Sequence, residues 1–241
     1  VTLDATTTIE TGRSGNDILP GILAGYRFTL CQGPEAAERA LEVRRQVYVQ
    51  GVGYDIPVPD AYDARSWFLL AEDVETGEAV GSMRLTPRFA GSLELEESFS
   101  LPKSLRTAKA VELNRFAILP AYRKGKTFLP IVSLGLFKLA FQFLQSVGLW
   151  HIIIASKPER LWTYEWLGFS RSGRTASYGN LDGADHELMV CDVRQVAVGF
   201  ESHPLGDFFL DMAHPEIVLP HVLPELGIGV DAEALGFRQS A

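Results

Sequence analysis

Cysteine is nearly missing from this chain: two occur among 241 residues, Cys31 and Cys191. They lie far apart in the apolar contexts FTLCQ and LMVCDV, with no CxxC and no Cys/His ligand spacing. That argues against a disulfide framework or a zinc knuckle and predicts buried free thiols in a reducing, cytoplasmic setting. The five histidines, His151, His186, His203, His214 and His221, form no HExxH or similar pattern, so no metal site is expected. The segment GIGV near the end lacks the strand-to-helix context of a dinucleotide fingerprint. The opening residues, VTLDATTTIETG, carry no basic segment followed by an apolar run, so no signal peptide is expected. Long apolar runs are scarce too. The longest, residues 128–149, is broken by Pro130, Lys138, Gln142 and Gln145, which predicts a buried helix and no integral membrane segment.

Positive charge is also in short supply. The formal net charge of −8 argues against nucleic acid or an anionic membrane as a general partner. Residues 102–126 are the exception, with Lys103, Arg106, Lys109, Arg115, Arg123, Lys124 and Lys126 against one acid, Glu112. A basic island on an acidic protein fits a local anionic partner such as a phosphate group. Ordinary solvated loop charges fit it equally well.

What is present reads as alternating strands and helices. YRFTLC, from Tyr26, alternates as a first strand, and PEAAERALEVRRQVY, from Pro34, has helix formers with apolar Ala37, Leu41 and Val47. An irregular Gly/Pro-rich loop, GVGYDIPVPDAYDARS, follows. WFLLAEDVETGEAVGSMRLTP predicts a hairpin turning near residues 75–77, AVELNRFAIL a strand, and the apolar run a long helix. LWHIIIAS is a β-branched strand, KPERLWTYEWLGF a short helix stopping at Gly168, and LMVCDVRQVAVGF holds at least one more strand. With no repeat and no linker, one α/β domain is expected over residues 22–200. Residues 1–21 are expected to be loosely ordered, and residues 201–241 to form an extension docked on that domain.

The strand AVELNRFAIL carries Glu112, Asn114 and Arg115 where a buried strand should be apolar. Simple alternation puts Glu112 and Asn114 on one face and Arg115 on the other.

The order of elements, the segment FAILPAYRKGK and the segment TYEWLGFSRSG together resemble the GNAT acyltransferase fold, a central mixed, mostly antiparallel sheet flanked by helices. A narrower resemblance, over residues 44–116, is to the superfamily of autoinducer synthases and N-acyl amino acid synthases, including exosortase-associated acyltransferases. It rests on Arg44, Tyr48 and Tyr54, on Asp60 and Asp63 in DAYDARS, on Arg84 and Leu85, and on Glu112, Arg115 and Phe116. Tyr54 stands where homoserine-lactone makers usually carry tryptophan, and Asn114 where they carry Ser or Thr.

The resemblance implies acyl transfer from a thioester to a primary amine, with no tightly bound cofactor. Acyl carrier protein, or alternatively coenzyme A, would present the acyl group. The acceptor would be an amino acid, giving an N-acyl amino acid, or S-adenosylmethionine, giving an acyl-homoserine lactone autoinducer. A coenzyme-A-dependent acetyltransferase and a non-catalytic acyl- or carrier-binding domain are the further alternatives. Glu112 would take the proton of the attacking amine, or else pair with Arg84 and organise the catalytic group. Tyr164 would protonate the departing thiolate, or else pack beside Trp162 and Trp166. Arg44, Asp60, Asp63 and Arg115 would meet a zwitterionic acceptor walled by Tyr48, Tyr54 and Phe116. Ile118 and the cations Arg123, Lys124 and Lys126 would hold the donor's phosphate. Gly125 alone supplies little of the glycine-rich backbone nest that coenzyme A pyrophosphate uses, which favours the carrier protein.

Overall fold

The computed structural model describes residues 23–31, 33–123, 129–178, 181, 183–200, 206–210 and 217–218. Its strands are β1 (Tyr26–Leu30), β2 (Trp67–Asp73), β3 (Ala79–Pro87), β4 (Ala110–Ile118), β5 (His151–Ser156), β6 (Ser170–Tyr178), β7 (Ala184–Asp192) and β8 (Ile217–Val218). They form one sheet in the order β6-β7-β5-β4-β3-β2-β1-β8. Pairing is antiparallel except between β4 and β5 and between β1 and β8. The helices are α1 (Gly33–Arg44), α2 (Ile131–Ser146), α3 (Leu161–Trp166), α4 (Val193–Phe200) and α5 (Gly206–Leu210). This is the helix-flanked, mostly antiparallel sheet that the sequence predicts.

Both faces of the sheet centre are covered, which is why β2 reads WFLLA without polar alternation. Trp67, Leu69 and Ala71 join the main core with α2, while Phe68 and Leu70 pack with Ala40 and Leu41 of α1. Helix α2 is buried on every side from Val132 to Leu144, as a helix apolar all round must be. Its lysine, Lys138, is fully buried and donates to the carbonyl of Phe208 in α5. Phe208 and Phe209 are themselves buried against this helix. Gly135 lets α2 approach β1: a Cβ there would meet the ring of Phe28 at 2.1 Å.

Three elements differ from the sequence reading. The helix begun at α1 continues as a wide, π-type helix over Arg45–Val52 and stops at Gly53 in the left-handed conformation. The segment VRQVAVGF is helix α4, with the Asp192 carboxylate accepting from the Arg194 N–H as a cap. SRSGRTASY is strand β6, exposed along most of its length.

Among the described residues, no helix is long and apolar enough to cross a membrane.

Candidate active site

Two irregularities in β4 create the site. Its parallel pairing with β5 covers Ala110, Val111 and Glu112, opposite His151, Ile152 and Ile153, and goes no further. Beyond Glu112 the two strands part. On the other side the register against β3 slips between Ser82 and Arg84, because Ser82 faces Ala117 while Arg84 faces Asn114. Arg115 is the inserted residue, with φ of 50°, a conformation that non-glycine residues rarely adopt.

The bulge changes which side chains share a face. Val111 and Leu113 point into the main core, and so does Phe116, whereas Ala117 packs with Val43 and Val47 on the α1 side. Strict alternation would put Phe116 and Ala117 the other way round. The extra residue therefore brings Arg115 onto the face already occupied by Glu112 and Asn114. The expectation that Arg115 points to the opposite face is overturned, and the bulge is the physical reason.

On that face lies a buried ionic cluster of three guanidinium groups, Arg44, Arg84 and Arg115, and four carboxyl groups, Asp60, Asp63, Glu94 and Glu112. Arg44 grips Asp63 with both terminal nitrogens, one of them at 2.8 Å. Arg84, wholly buried, donates from Nε to Asn114 Oδ1 at 2.9 Å. Its Nη1 donates to Asp60 at 2.5 Å and to Asp63 at 2.9 Å, and its Nη2 to Glu94. Arg115 donates to the other oxygen of Glu94 and lies 3.4 Å from Asp60. Burial alone would raise the Asp63 carboxyl, but Arg44 and Arg84 outweigh it and hold that carboxyl below its ordinary value.

Among the described residues, Glu112 is the carboxyl of this cluster with no guanidinium at ion-pair distance. Arg84, the partner that one sequence reading gave it, points instead at Asp60, Asp63 and Glu94. Glu112 accepts from Asn114 Nδ2 at 2.8 Å and from the N–H of Leu95 at 3.3 Å. Desolvation, followed by the nearby Glu94 carboxylate, pushes Glu112 up to about 7. With Glu112 protonated, three positive charges face three negative ones. A carboxyl poised near neutrality at the fork between two strands can take a proton from an ammonium ion.

The aromatic residues line the other side of the fork. The hydroxyl of Tyr48, on the π-type helix, donates to the carbonyl of Phe116 at 2.9 Å, within the bulge. Tyr54 stacks on Tyr48 with ring centres 6.0 Å apart and accepts from Lys157 Nζ at 3.1 Å. Tyr164 packs between Phe137 and Phe169, and its hydroxyl is pushed up to about 12, chiefly by burial. It is therefore a neutral phenol at physiological pH.

The donor-side residues divide. Arg123 donates from Nε to the Ile118 carbonyl at 2.7 Å, at the C-terminal end of β4. Lys124 and Lys126 lie outside the described residues. Lys103, Arg106 and Lys109 precede the N-terminal end of the same nine-residue strand, about 27 Å away along the strand at its usual rise. Among the described residues the basic island of the sequence is thus divided, with Lys103, Arg106 and Lys109 before β4, Arg115 in the buried cluster and Arg123 after the strand.

Glu94 was missed by sequence reasoning. It lies on a 3-10 turn, Glu94–Glu97, between the fully buried Leu93 and Leu95. The alternation L-E-L was the available signal: two apolar anchors force the intervening acid towards the opposite, ionic side.

A mixed sheet whose central parallel strands part beside a buried carboxyl, with a bulged strand at the fork, defines an acyltransferase of the GNAT fold. Within that class the chain belongs to the N-acyl amino acid synthase FeeM family, whose model matches residues 39–192. A comparison with curated protein sequences gives no significant match. Among solved structures it is similar to FeeM, an N-acyl amino acid synthase from uncultured soil microbes. That likeness has 16% identity and a TM-score of 0.59, covering 76% of this chain and 96% of that one. It is also similar to a CoA-dependent acyl-homoserine lactone synthase, BjaI, solved with SAM and isopentyl-CoA: 19% identity, TM-score 0.62, covering 87% and 99%. A third likeness is to a putative N-acetyltransferase from Lactobacillus plantarum, with 17% identity, TM-score 0.52 and coverage of 70% and 99%. At these identities the structural likenesses establish the fold.

Proposed function

We propose that the protein transfers a long acyl chain from an acyl-carrier-protein thioester to the amine of an amino acid, releasing an N-acyl amino acid. The observation that carries this reading is Glu112, buried where β4 and β5 part, with its carboxyl pushed up to about 7 by desolvation and then by Glu94. The acceptor amine arrives as an ammonium ion and loses a proton to Glu112. Its nitrogen then attacks the thioester carbon, the C–S bond breaks, the phenol of Tyr164 protonates the departing thiolate, and the second proton shed by the new amide nitrogen restores the phenol. Backbone N–H groups of the β4 segment beyond Glu112, left without β5 partners, are positioned to meet the oxyanion.

The remaining ionic residues hold the acceptor pocket in shape. Asp60 and Asp63 face guanidinium groups, so they orient Arg44, Arg84 and Arg115 around the amine's approach. Tyr48 and Tyr54 form its aromatic wall, and the backbone carbonyl of Phe116 holds Tyr48 in place while the Phe116 ring packs into the main core. Arg123, with Ile118 beneath it and Lys124 and Lys126 following, receives the donor's phosphate at the C-terminal end of β4.

Mass spectrometry of lipid extracts from cells expressing the protein, against cells expressing Glu112→Gln, tests the proposal. N-acyl amino acids present with the wild type and lost with the variant are expected. Lactone-bearing products would instead select S-adenosylmethionine as acceptor, and no acylated product in any host would select a binding role.

A further inference from the structure

The turn at Glu94–Glu97 does more for the site than close a loop. Leu93 and Leu95 are fully buried in a cluster with Phe99, Leu101, Leu105, Ala110, Ile153 and Leu188, which pins the turn beneath β4 and β5. From that anchor it delivers two groups to the catalytic strand. One is the Leu95 N–H on Glu112; the other is the Glu94 carboxylate, held by Arg84 and Arg115. The amide nitrogen of Asn114 then donates to Glu94 Oε2 and to Glu112 Oε1, at 2.8 Å each. Those two carboxylate oxygens lie within about 6 Å of each other, the range in which like charges disfavour double ionisation.

We infer that Glu94 is a positioning residue for acyl transfer, its charge held beside Glu112 across the Asn114 amide they share so that Glu112 is a stronger base. The inference rests on the proposed role of Glu112 as proton acceptor. Glu94 touches no reacting atom. Its charge makes the ionised Glu112 less stable, and the proton taken from the ammonium ion relieves that repulsion. Its grip on Arg84 and Arg115 holds the bulged conformation at Arg115 while this happens. An acid cannot do this from the position of Asn114 itself, and a hydroxyl there has one hydrogen to donate, not two.

The charged and titratable groups around Glu112 come from every element packed on it. Arg84 approaches from β3, Glu94 from the turn and Tyr178 from β6; on β4 itself Asn114 donates to Glu112 and Arg115 holds Glu94, while β5 presents apolar Ile153. Arg84 opposes the effect of Glu94 on Glu112, and the backbone N–H groups of Leu95 and Glu94 oppose it further. Glu94 is the neighbour whose removal separates these contributions.

The test is a carboxyl 13C NMR titration of the full chain labelled at glutamate, without substrate, with the Glu112 signal assigned by its loss in Glu112→Gln. In Glu94→Gln the Glu112 midpoint is expected to fall by about one pH unit or more, and in Glu94→Asp to stay close to the wild type. A midpoint unchanged or raised in Glu94→Gln overturns the inference. If Glu94→Gln fails to fold, Asn114→Ser serves: losing the bridging donor should raise the midpoint, and an unmoved midpoint overturns the coupling. Because no turnover is involved, the result stands whether or not N-acyl amino acids are the product. Where turnover is measured, the acid limb of the kcat/KM profile should shift with the midpoint while KM for the acyl donor stays constant.

Discussion

The hydroxyl of Tyr48 is bonded to the carbonyl of Phe116 at 2.9 Å, so the π-type helix after α1 clamps the bulge of β4 from outside. The bulge takes Phe116 out of regular pairing with β3, and the tyrosine satisfies a carbonyl that the ladder leaves open. Tyr48→Phe keeps the ring stacked on Tyr54 and removes that bond alone. The variant should lose about 1–2 kcal/mol of stability by thermal or urea unfolding. Its kcat should fall further than its KM rises, because Arg115 and the oxyanion donors would lose their fixed positions. A fully active Tyr48→Phe would show that the bulge holds itself.

Glu112 makes stability depend on pH in a direction opposite to most carboxylates. Its folded value, about 7, lies above the ordinary 4.5, so the folded protein binds this proton more tightly than the unfolded chain. The stabilising contribution is complete below about pH 4.5 and is lost as pH rises through about 7, amounting to about 3 kcal/mol. Urea unfolding between pH 5 and 8 should show the wild type weakening relative to Glu112→Gln. Two parallel curves would mean that Glu112 is ionised throughout.

Asp63 works the other way. Arg44 and Arg84 hold it below its ordinary value, so its contribution is present at neutral pH and lost as pH falls below about 4. Asp63→Asn should cost about 3–5 kcal/mol at pH 7, since it strips Arg44 of its bidentate partner in a site that water barely reaches. The difference from wild type should shrink on acidification. A constant difference from pH 7 to pH 3 would contradict the ion pair.

Packing at the back of the sheet gives a further test. A methyl group at residue 135 would overlap the Phe28 ring, which is itself fully buried between α2 and the sheet. Gly135→Ala should therefore destabilise by about 1–3 kcal/mol despite the better helix propensity of alanine. Adding Phe28→Leu should recover part of the loss. Additive costs in the double variant would mean that the two positions do not collide.

Legibility in the sequence followed the physics of each element. Strands β1 to β5 and helix α2 are buried, so apolar patterning and Gly77 marked them. Strand β6 is an exposed edge whose residues, SRSGRTASY, carry no apolar face to read. Helix α4 follows β7 without a break, and its signal was the spacing of buried Val193 and Val196. In the site, Glu112 and Arg115 stood out because charged groups are costly to bury in an apolar strand, whereas Arg44, Asp60, Asp63 and Arg84 were legible through the family resemblance. Which of them pair was not. The direction of Arg115 depends on one inserted residue, and a bulge reverses the alternation from which faces are read. Glu94 was hidden in an acidic run, LELEE, that resembles a solvated turn.

The separation of Arg123 from Lys103, Arg106 and Lys109 makes the donor surface testable. Arg123 lies at the end of β4 where the strands part, while Lys103, Arg106 and Lys109 lie beyond the opposite end. Acyl carrier protein brings an acidic surface and one phosphate, so its encounter rate should depend on charge at the first place and not the second. Arg123→Glu should slow transfer from acyl carrier protein about tenfold at low salt, and the difference should narrow as salt screens the encounter. Reversing Lys103, Arg106 and Lys109 together should leave the rate at physiological salt within about twofold, because exposed charges more than a Debye length from the docking site contribute little. Equal losses from both sets would mean that the whole surface attracts the donor, and no loss from either would remove the reason for placing the carrier protein at the end of β4.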